Sequence, residues 1–216
     1  MRVVVFHGSP RKGNTYFATK IFINELVNKG NVSITEFFFP ETLPEFCMGC
    51  QVCFSSSNED CPHHKHVDPL LNAIIESDAL IFTSPHYACN ISGVMKNLFD
   101  HLYFLTMSIT PRKEIFSKKA FIITTGAGSK AAIKLMKKYL KNWGINRVYS
   151  IGFRMLTDNW DKLKDKRKVK FSNDLKKAAS KFYTAKKKHP YLSTIMMYRL
   201  NKHILKKYVG KGNHPY

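Results

Sequence analysis

The chain has 216 residues, of which 44% are hydrophobic and 23% are charged. This composition excludes a disordered chain, a collagen-like repeat and a coiled coil. Lys and Arg number 35 against 15 Asp and Glu, so the formal net charge is +20 and the surface attracts anions such as nucleotides, nucleic acid or acidic lipid.

The beginning of the chain predicts no targeting segment. Residues 1–8 form too short an apolar run for a signal peptide, and no later stretch reaches the roughly 18 apolar residues of a membrane span. We therefore expect a cytoplasmic protein.

Strands and helices alternate along residues 1–153. The predicted strands cover residues 2–7, 32–39, 79–83, 120–125 and 147–153, and the predicted helices cover 15–29, 68–76, 93–105 and 131–143. In the second helix, Asp68 is the predicted N-cap and Pro69 the first helical residue. Because strands that alternate with helices form parallel sheets, we expect an α/β protein with a doubly wound, five-stranded sheet. In such sheets ligands bind beyond the carboxyl ends of the strands, where the strand order reverses.

A glycine-containing loop follows the first strand, with the sequence Gly8-Ser9-Pro10-Arg11-Lys12-Gly13-Asn14-Thr15. Its glycines allow a tight turn that points backbone N–H groups at an anion, and the next helix adds the positive end of its dipole. Ser9, Asn14 and Thr15 can donate hydrogen bonds to phosphate oxygens, and Arg11 adds charge. Asn14 stands where the loop of nucleotide triphosphatases needs lysine, so we expect a phosphate monoester that is held and not cleaved.

Two further loops follow the third and fourth strands. The first, over residues 84–97, contains Tyr87, whose ring can stack, and the segment 90–93, whose backbone amides can contact a ring edge. The second, over residues 124–129, contains glycines that let a ligand approach the backbone closely. Together these loops predict a site for a flat ring.

Three motifs in order resemble the flavodoxin-like NAD(P)H-dependent FMN reductases and iron–sulfur flavoproteins. They read G-S-P-R-K-G-N-T at 8–15, S-P-x-Y-x3-I-S-G-x-M-K-x3-D at 84–100 and T-T-G-A-G-S at 124–129. The resemblance covers about residues 1–153. It implies a flavodoxin fold with strand order 2-1-3-4-5, one FMN per subunit, NAD(P)H as co-substrate and a homo-oligomer.

The resemblance also implies the cofactor-binding residues. Ser9, Arg11, Asn14 and Thr15 match the phosphate-binding positions, and Lys12 and Gly13 belong to the same loop. Pro85, His86, Tyr87, Asn90, Ile91 and Gly93 match positions along the isoalloxazine ring, with Ser92 among them. Thr125, Gly126, Ala127 and Gly128 match the second loop at the ring edge. His86 stands where an aliphatic residue is more common, and His101 where arginine is more common.

Four of the five cysteines lie within fifteen residues of each other. Cys47, Cys50, Cys53 and Cys61 form the pattern C-x2-C-x2-C-x7-C. Such thiolates could bind a [4Fe–4S] cluster or zinc, or they could be unligated or redox-active thiols, and the sequence leaves these alternatives open. We expect Cys89 to be a buried thiol and the histidines at 63, 64 and 66 to belong to a solvated loop.

Residues 154–216 carry 18 basic and 4 acidic side chains, which predicts a flavodoxin-like domain over 1–155 and a basic helical extension over 156–216. The extension ends in an amphipathic stripe, formed by Leu192, Met196, Leu200, Ile204 and Tyr208. We interpret the stripe as docked on the same protein or on a second subunit. Peripheral contact with an anionic membrane is the alternative, and nucleic-acid binding is disfavoured because no known module is present.

These observations predict an FMN-dependent oxidoreductase that takes a hydride from NAD(P)H and passes electrons to a flavin, a quinone, a nitro compound or a protein. No catalytic acid or base is predicted, because the flavin carries the chemistry. The alternatives are an iron–sulfur flavoprotein-type electron carrier linked to ferredoxin, and a non-enzymatic basic binding protein with a flavodoxin fold.

Overall fold

A computed structural model describes residues 1–55, 60–106, 113–186 and 191–209. The strands are β1 (Arg2–His7), β2 (Ser33–Phe38), β3 (Ala79–Tyr87), β4 (Asn90–Ile91), β5 (Lys119–Gly126) and β6 (Arg147–Arg154). The helices are α1 (Asn14–Asn28), α2 (Val52–Ser55), α3 (His64–Glu76), α4 (Gly93–His101), α5 (Lys130–Asn142), α6 (Asp165–Thr184) and α7 (Leu192–Val209).

The five long strands form one parallel sheet in the order β2-β1-β3-β5-β6. This confirms the predicted flavodoxin-like order, which reverses between β1 and β3. The short strand β4 was not predicted. It pairs antiparallel with the end of β3 across a turn at Ala88 and Cys89, whose φ angles of 44° and 64° are those of a tight hairpin turn.

Helices cover both faces of the sheet. Along β1, Val4 and Phe6 point into the core beneath α3, α4 and α5, while Val3 and Val5 point into the core beneath α1 and α6. This alternation is the period of two that a strand buried on both faces requires. Because the strands are parallel, their carboxyl ends share one edge of the sheet.

Helix α6 belongs to the second of these cores. Its buried residues Phe171, Leu175, Ala179 and Phe182 recur every three or four positions, and Phe182 packs against Phe22 and Phe121. The surface charge thus changes near residue 155, while the apolar core continues into α6. The division of the chain at residues 155 and 156 stays a prediction.

Helix α3 begins earlier than predicted. The carbonyl of His63 accepts hydrogen bonds from the backbone of His66 and Val67, and the helix runs from His64 with Pro69 inside it. Asp68 is therefore not the N-cap. Pro69 has no N–H to donate to the carbonyl of Lys65, and the helix tolerates it on an exposed face close to its start.

Helix α7 docks on the body of the protein, as one interpretation predicted, but Leu192, Met196 and Leu200 of the predicted stripe are exposed, and the side chain of Tyr208 lies outside the described residues. The buried side chains are Thr194 and Tyr198, and the Tyr198 hydroxyl donates a hydrogen bond to the carbonyl of Leu105. The Tyr198 ring also meets the edge of Phe116, with centroids 4.9 Å apart. Among the described residues, none of the helices is long and apolar enough to cross a bilayer.

Candidate functional site

A cleft lies at the carboxyl edge of the sheet, where the strand order reverses. Residues from the ends of β1, β3, β5 and β6 meet there. The lining residues are Ser9, Arg11, Gly13, Asn14, Thr15, Pro85, His86, Tyr87, Thr125, Gly126, Met155, Thr157 and Asp158.

One end of the cleft is the start of α1. No side chain of the described residues caps this helix, so its first backbone N–H groups are available to an anion. Asn14 donates from Nδ2 to the Thr157 carbonyl at 2.8 Å, while its Oδ1 is buried and has no partner in the part of the chain that the structure describes. Arg11 adds a positive charge at the rim. This end suits a phosphate.

Hydrogen bonds hold the loops of this end together. Thr15 and Thr125 share a buried hydrogen bond of 2.7 Å between their hydroxyls, which joins the start of α1 to the end of β5. The Ser92 hydroxyl donates to the Gly8 carbonyl, and the Ser92 backbone N–H donates to the Ser84 hydroxyl at 3.0 Å. The loops after β1, β3 and β5 are therefore held against one another by the protein's own hydrogen bonds.

The other end of the cleft is lined by aromatic and glycine residues. His86 lies opposite Gly126 in the β3–β5 register, and a Cβ at Gly126 would stand 2.9 Å from the Cβ of His86. Gly126 also has a φ of 150°, which favours glycine. Tyr87 is 41% exposed, so one face of its ring is open for stacking. This end suits a flat ring.

Ten of the predicted cofactor contacts line the cleft. They are Ser9, Arg11, Gly13, Asn14, Thr15, Pro85, His86, Tyr87, Thr125 and Gly126. Seven others lie beside it, namely Lys12, Asn90, Ile91, Ser92, Gly93, Ala127 and Gly128. Their roles as ligand contacts stay predictions.

The side chains beside the cleft have other surroundings. The Lys12 ammonium lies over the rings of Tyr16 and Phe38, at 5.7 and 5.8 Å from their centroids. The Asn90 Oδ1 accepts a hydrogen bond from the Ile91 backbone, and the Ser92 hydroxyl caps α4. These contacts shape the loops from outside the cleft.

Sequence reasoning missed Met155, Thr157 and Asp158. They follow β6, and the general rule that ligands bind beyond strand ends could have identified them. The Met155 backbone N–H donates to the Gly126 carbonyl at 2.9 Å, which closes the wall of the cleft. A hydrogen bond from Lys162 is the main cause that lowers the pKa of Asp158, and the charge of Arg11 acts in the same direction.

The cysteine segment is anchored to α4 by Asn97. The buried Asn97 amide donates to the Glu45 carbonyl at 2.7 Å and accepts from the Cys47 backbone N–H at 3.1 Å. His101, one turn later, is hydrogen-bonded to His63 at 2.9 Å between Nε2 and Nδ1. The expectation that residues 63, 64 and 66 form a solvated loop is therefore wrong, because the His63 ring contacts His101 on α4 and the other two histidines lie in the first turn of α3.

The cysteines differ in their surroundings. Cys47 is exposed, while Cys50, Cys53 and Cys61 are half-buried. Burial, with further contributions from the neighbouring thiols, raises the pKa of Cys53 to about 12, and burial also raises the pKa of Cys61. As metal-free thiols both are protonated at neutral pH and are weak nucleophiles. Cys89 is exposed in the β3–β4 turn, so its predicted burial is wrong.

The sequence profile of the family described as NADPH-dependent FMN reductase matches residues 1–158. The chain belongs to the NADPH-dependent FMN reductase family. This member is 29% identical over 159 residues to an iron–sulfur flavoprotein of Archaeoglobus fulgidus, an alignment that covers 72% of this chain and 70% of the relative. It is 31% identical over 100 residues to an iron–sulfur flavoprotein of Methanocaldococcus jannaschii, covering 46% of this chain and 50% of the relative. The chain thus spans only part of the length of these relatives.

Solved structures share the fold of this family member. An azoreductase from Bacillus anthracis superposes with a TM-score of 0.64 at 15% identity, covering 85% of this chain and 98% of that chain. An NADH:FMN oxidoreductase in its apo form superposes with a TM-score of 0.61 at 16% identity, covering 88% and 91%. At this level of identity the similarity concerns the fold alone.

The cleft of this FMN reductase family member fits FMN. The uncapped start of α1 and the charge of Arg11 suit a phosphate, and the buried Asn14 Oδ1, an acceptor without a partner among the described residues, suits a hydroxyl of the chain esterified to that phosphate. The cysteine segment does not show the same fit to a cluster. Among the described residues no group of three or more His, Cys, Asp or Glu is arranged to hold a metal ion.

Proposed function

We propose that this chain binds FMN in the cleft and uses it to transfer a hydride from NADPH or NADH to a second acceptor, namely a flavin, a quinone, a nitro compound or a protein. The observation that carries the proposal is one continuous cleft, which joins an uncapped helix start at Gly13 to an aromatic and glycine wall at Tyr87 and Gly126. Family membership supports the same cofactor and electron donor.

The chain's own residues bind and orient the cofactor. The first amides of α1, with Ser9 and Arg11, hold the phosphate, and the Thr15–Thr125 hydrogen bond keeps this end from widening. Gly126 lines the cleft without adding a side chain to it, and the exposed part of the Tyr87 ring stacks on the flavin. Bound FMN supplies the hydride and electron chemistry, so the protein needs no acid or base of its own.

The experiment that tests the proposal is an absorption spectrum of protein purified without oxygen, followed by titration with NADPH and with NADH. We expect flavin bands that bleach on addition of at least one of the two. Protein that retains no flavin after incubation with FMN, or whose bound flavin neither nucleotide reduces, would contradict the proposal.

The names of curated relatives favour a second candidate, an iron–sulfur flavoprotein-type electron carrier, although the described cysteines are not arranged to hold a metal ion. Asn97 holds the segment in place, and curated relatives bear the name iron–sulfur flavoprotein. Iron and acid-labile sulfide should be assayed on the same sample. About four irons per chain would favour electron exchange with ferredoxin-like partners, and their absence would favour the simple FMN oxidoreductase. The homo-oligomer and the cytoplasmic location stay predictions.

A further inference from the structure

Helix α7 presents a defined side to solvent. Its inward side carries Thr194 and Tyr198, which are 4% and 5% exposed, and Asn201, whose amide donates to the Thr106 carbonyl at 3.3 Å. Because a helix advances about 100° per residue, these three positions share one narrow sector. The outward side is therefore the sector opposite to them.

The outward side is apolar in its first half. Leu192, Met196 and Leu200 are 72%, 61% and 59% exposed. A spacing of four residues drifts about 40° per step around a helix, so the predicted stripe begins on the solvent side and winds towards the protein body. Ile204, the next residue of the stripe, is accordingly half-buried. The first three residues remain uncovered in the described part of the chain.

The outward side is basic in its second half. Arg199, His203 and Lys207 are exposed and occupy the same sector as the three apolar residues. The surrounding sequence adds to this charge, because residues 175–216 contain eleven Lys and Arg and no Asp or Glu. A binding partner of this surface must therefore have an apolar region next to a negatively charged one.

The positive charge of α7 favours an anionic membrane over a second copy of this chain as the binding partner of the outward side. A second copy of this chain would bring its own basic α7 against this one, and like charges at an interface are unfavourable. An anionic bilayer offers hydrocarbon and phosphate within a few ångströms of each other. Helices that lie at a membrane interface combine aliphatic side chains with neighbouring Lys and Arg. Helix α7 has this composition, and the half-exposed Tyr191 precedes its first exposed aliphatic residue.

We propose that the outward side of α7 binds the surface of an anionic membrane. Leu192, Met196 and Leu200 enter the boundary between headgroups and acyl chains, while Arg199 and Lys207 contact lipid phosphates. The inward side of α7 stays docked through Tyr198, so the helix holds the body of the protein at the membrane surface. This surface lies beyond residues 1–158, the part that the family shares.

The test is co-sedimentation of the FMN-loaded full chain with vesicles of equal parts phosphatidylglycerol and phosphatidylcholine, and with vesicles of phosphatidylcholine alone. We expect binding to the anionic vesicles that weakens with salt. The double variants M196S/L200S and R199E/K207E should each bind roughly tenfold or more weakly. All four positions are exposed, so flavin content should stay that of the wild type and report an intact fold.

The matched control is K176E/K181E. Both lysines are exposed on α6, which packs on the opposite face of the sheet, and the change in net charge equals that of R199E/K207E. We expect this control to bind the anionic vesicles nearly as well as the wild type. The proposal is wrong if the wild type does not bind anionic vesicles, or if K176E/K181E loses as much binding as R199E/K207E. It is also wrong if M196S/L200S converts an oligomer to monomers and leaves vesicle binding unchanged.

Discussion

Arg11 and Lys12 are adjacent and carry the same charge, yet their side chains have different surroundings. Arg11 lines the cleft, while the Lys12 ammonium lies over Tyr16 and Phe38. A cation contributes to phosphate binding only when it reaches the phosphate oxygens. Of the two, we therefore expect Arg11 to be the FMN contact.

Arg11→Ala should weaken FMN binding roughly tenfold or more, because a charge-assisted hydrogen bond contributes about 1.5–3 kcal/mol. Quenching of flavin fluorescence measures the dissociation constant. Lys12→Ala is the matched control and should change it little. Riboflavin, which lacks the phosphate, should bind the wild type and Arg11→Ala equally, and an equal loss for both ligands would show that the variant disturbs the cleft itself.

His7 is a buried titratable residue at the end of β1. Its Nε2 lies 2.8 Å from Oε2 of Glu36, which Lys20 also contacts. Burial lowers the pKa of His7 more than Glu36 raises it, and the charges of Lys20 and Lys12 lower it further. The folded protein therefore holds His7 neutral at pH values where the unfolded chain begins to protonate it.

The stability of the protein should depend on this difference. As pH falls below about 6.5, His7 becomes protonated in the unfolded state while it stays neutral in the folded state. The free energy of unfolding therefore decreases with falling pH, until the pH passes below the lowered pKa of His7 in the folded state. Urea unfolding at several pH values should show a smaller decrease for His7→Gln than for the wild type. His203→Gln, at an exposed position, is the control and should keep the wild-type decrease.

At the scale of elements, the junction of β1 with the loop that follows is unusually tight. The Gly8 backbone N–H donates to the Thr83 carbonyl at 2.7 Å. A Cβ at Gly8 would stand 2.8 Å from the Cβ of Met95 and 2.9 Å from the Thr83 carbonyl oxygen. Neither a Cβ nor a backbone oxygen can move aside cheaply, so β1, β3 and α4 must all shift to admit a side chain.

Gly8→Ala should reduce the free energy of unfolding by about 1–3 kcal/mol. This loss of stability is measured from the midpoint of urea unfolding in the absence of flavin. Gly93→Ala is the comparison, because a Cβ there meets nothing within 4 Å. At the first residue of α4, alanine should be neutral or slightly stabilising. Equal losses at the two positions would contradict the crowding at Gly8.

At the scale of the whole molecule, α6 completes the core that covers one face of the sheet. Leu175 on α6 is fully buried in the core that this helix shares with the sheet and α1, whereas Val169 on the same helix is 60% exposed. We therefore expect the helix to unfold together with the sheet, although six of its twenty residues are lysine.

Leu175→Ala should lower the free energy of unfolding of the entire protein by about 2–5 kcal/mol, in one transition. Val169→Ala should change it by less than about 0.5 kcal/mol. Circular dichroism and flavin fluorescence should report the same midpoint. A separate early transition for α6, with the sheet unaffected, would show that the helix is an appendage.

Much of this protein follows from the amino-acid sequence alone. The runs of apolar residues and the turns between them predicted the five strands, and their alternation with helices predicted that these strands form a parallel sheet. The loop from Gly8 to Thr15 was predicted to line the ligand site and does line the cleft, and its binding of a phosphate stays a prediction. These features depend on neighbours in the chain, so local pattern is enough to determine them.

The tertiary structure decided the rest. It placed the residues after β6 in the wall of the cleft, turned Lys12 away from it, added the β3–β4 hairpin and selected the inward side of α7. Each outcome depends on which distant segments meet: Met155 reaches Gly126 across the β5–β6 pair, and Tyr198 reaches Leu105 across more than ninety positions. Periodicity shows that a helix has an apolar stripe, but only packing in three dimensions determines which side the protein covers.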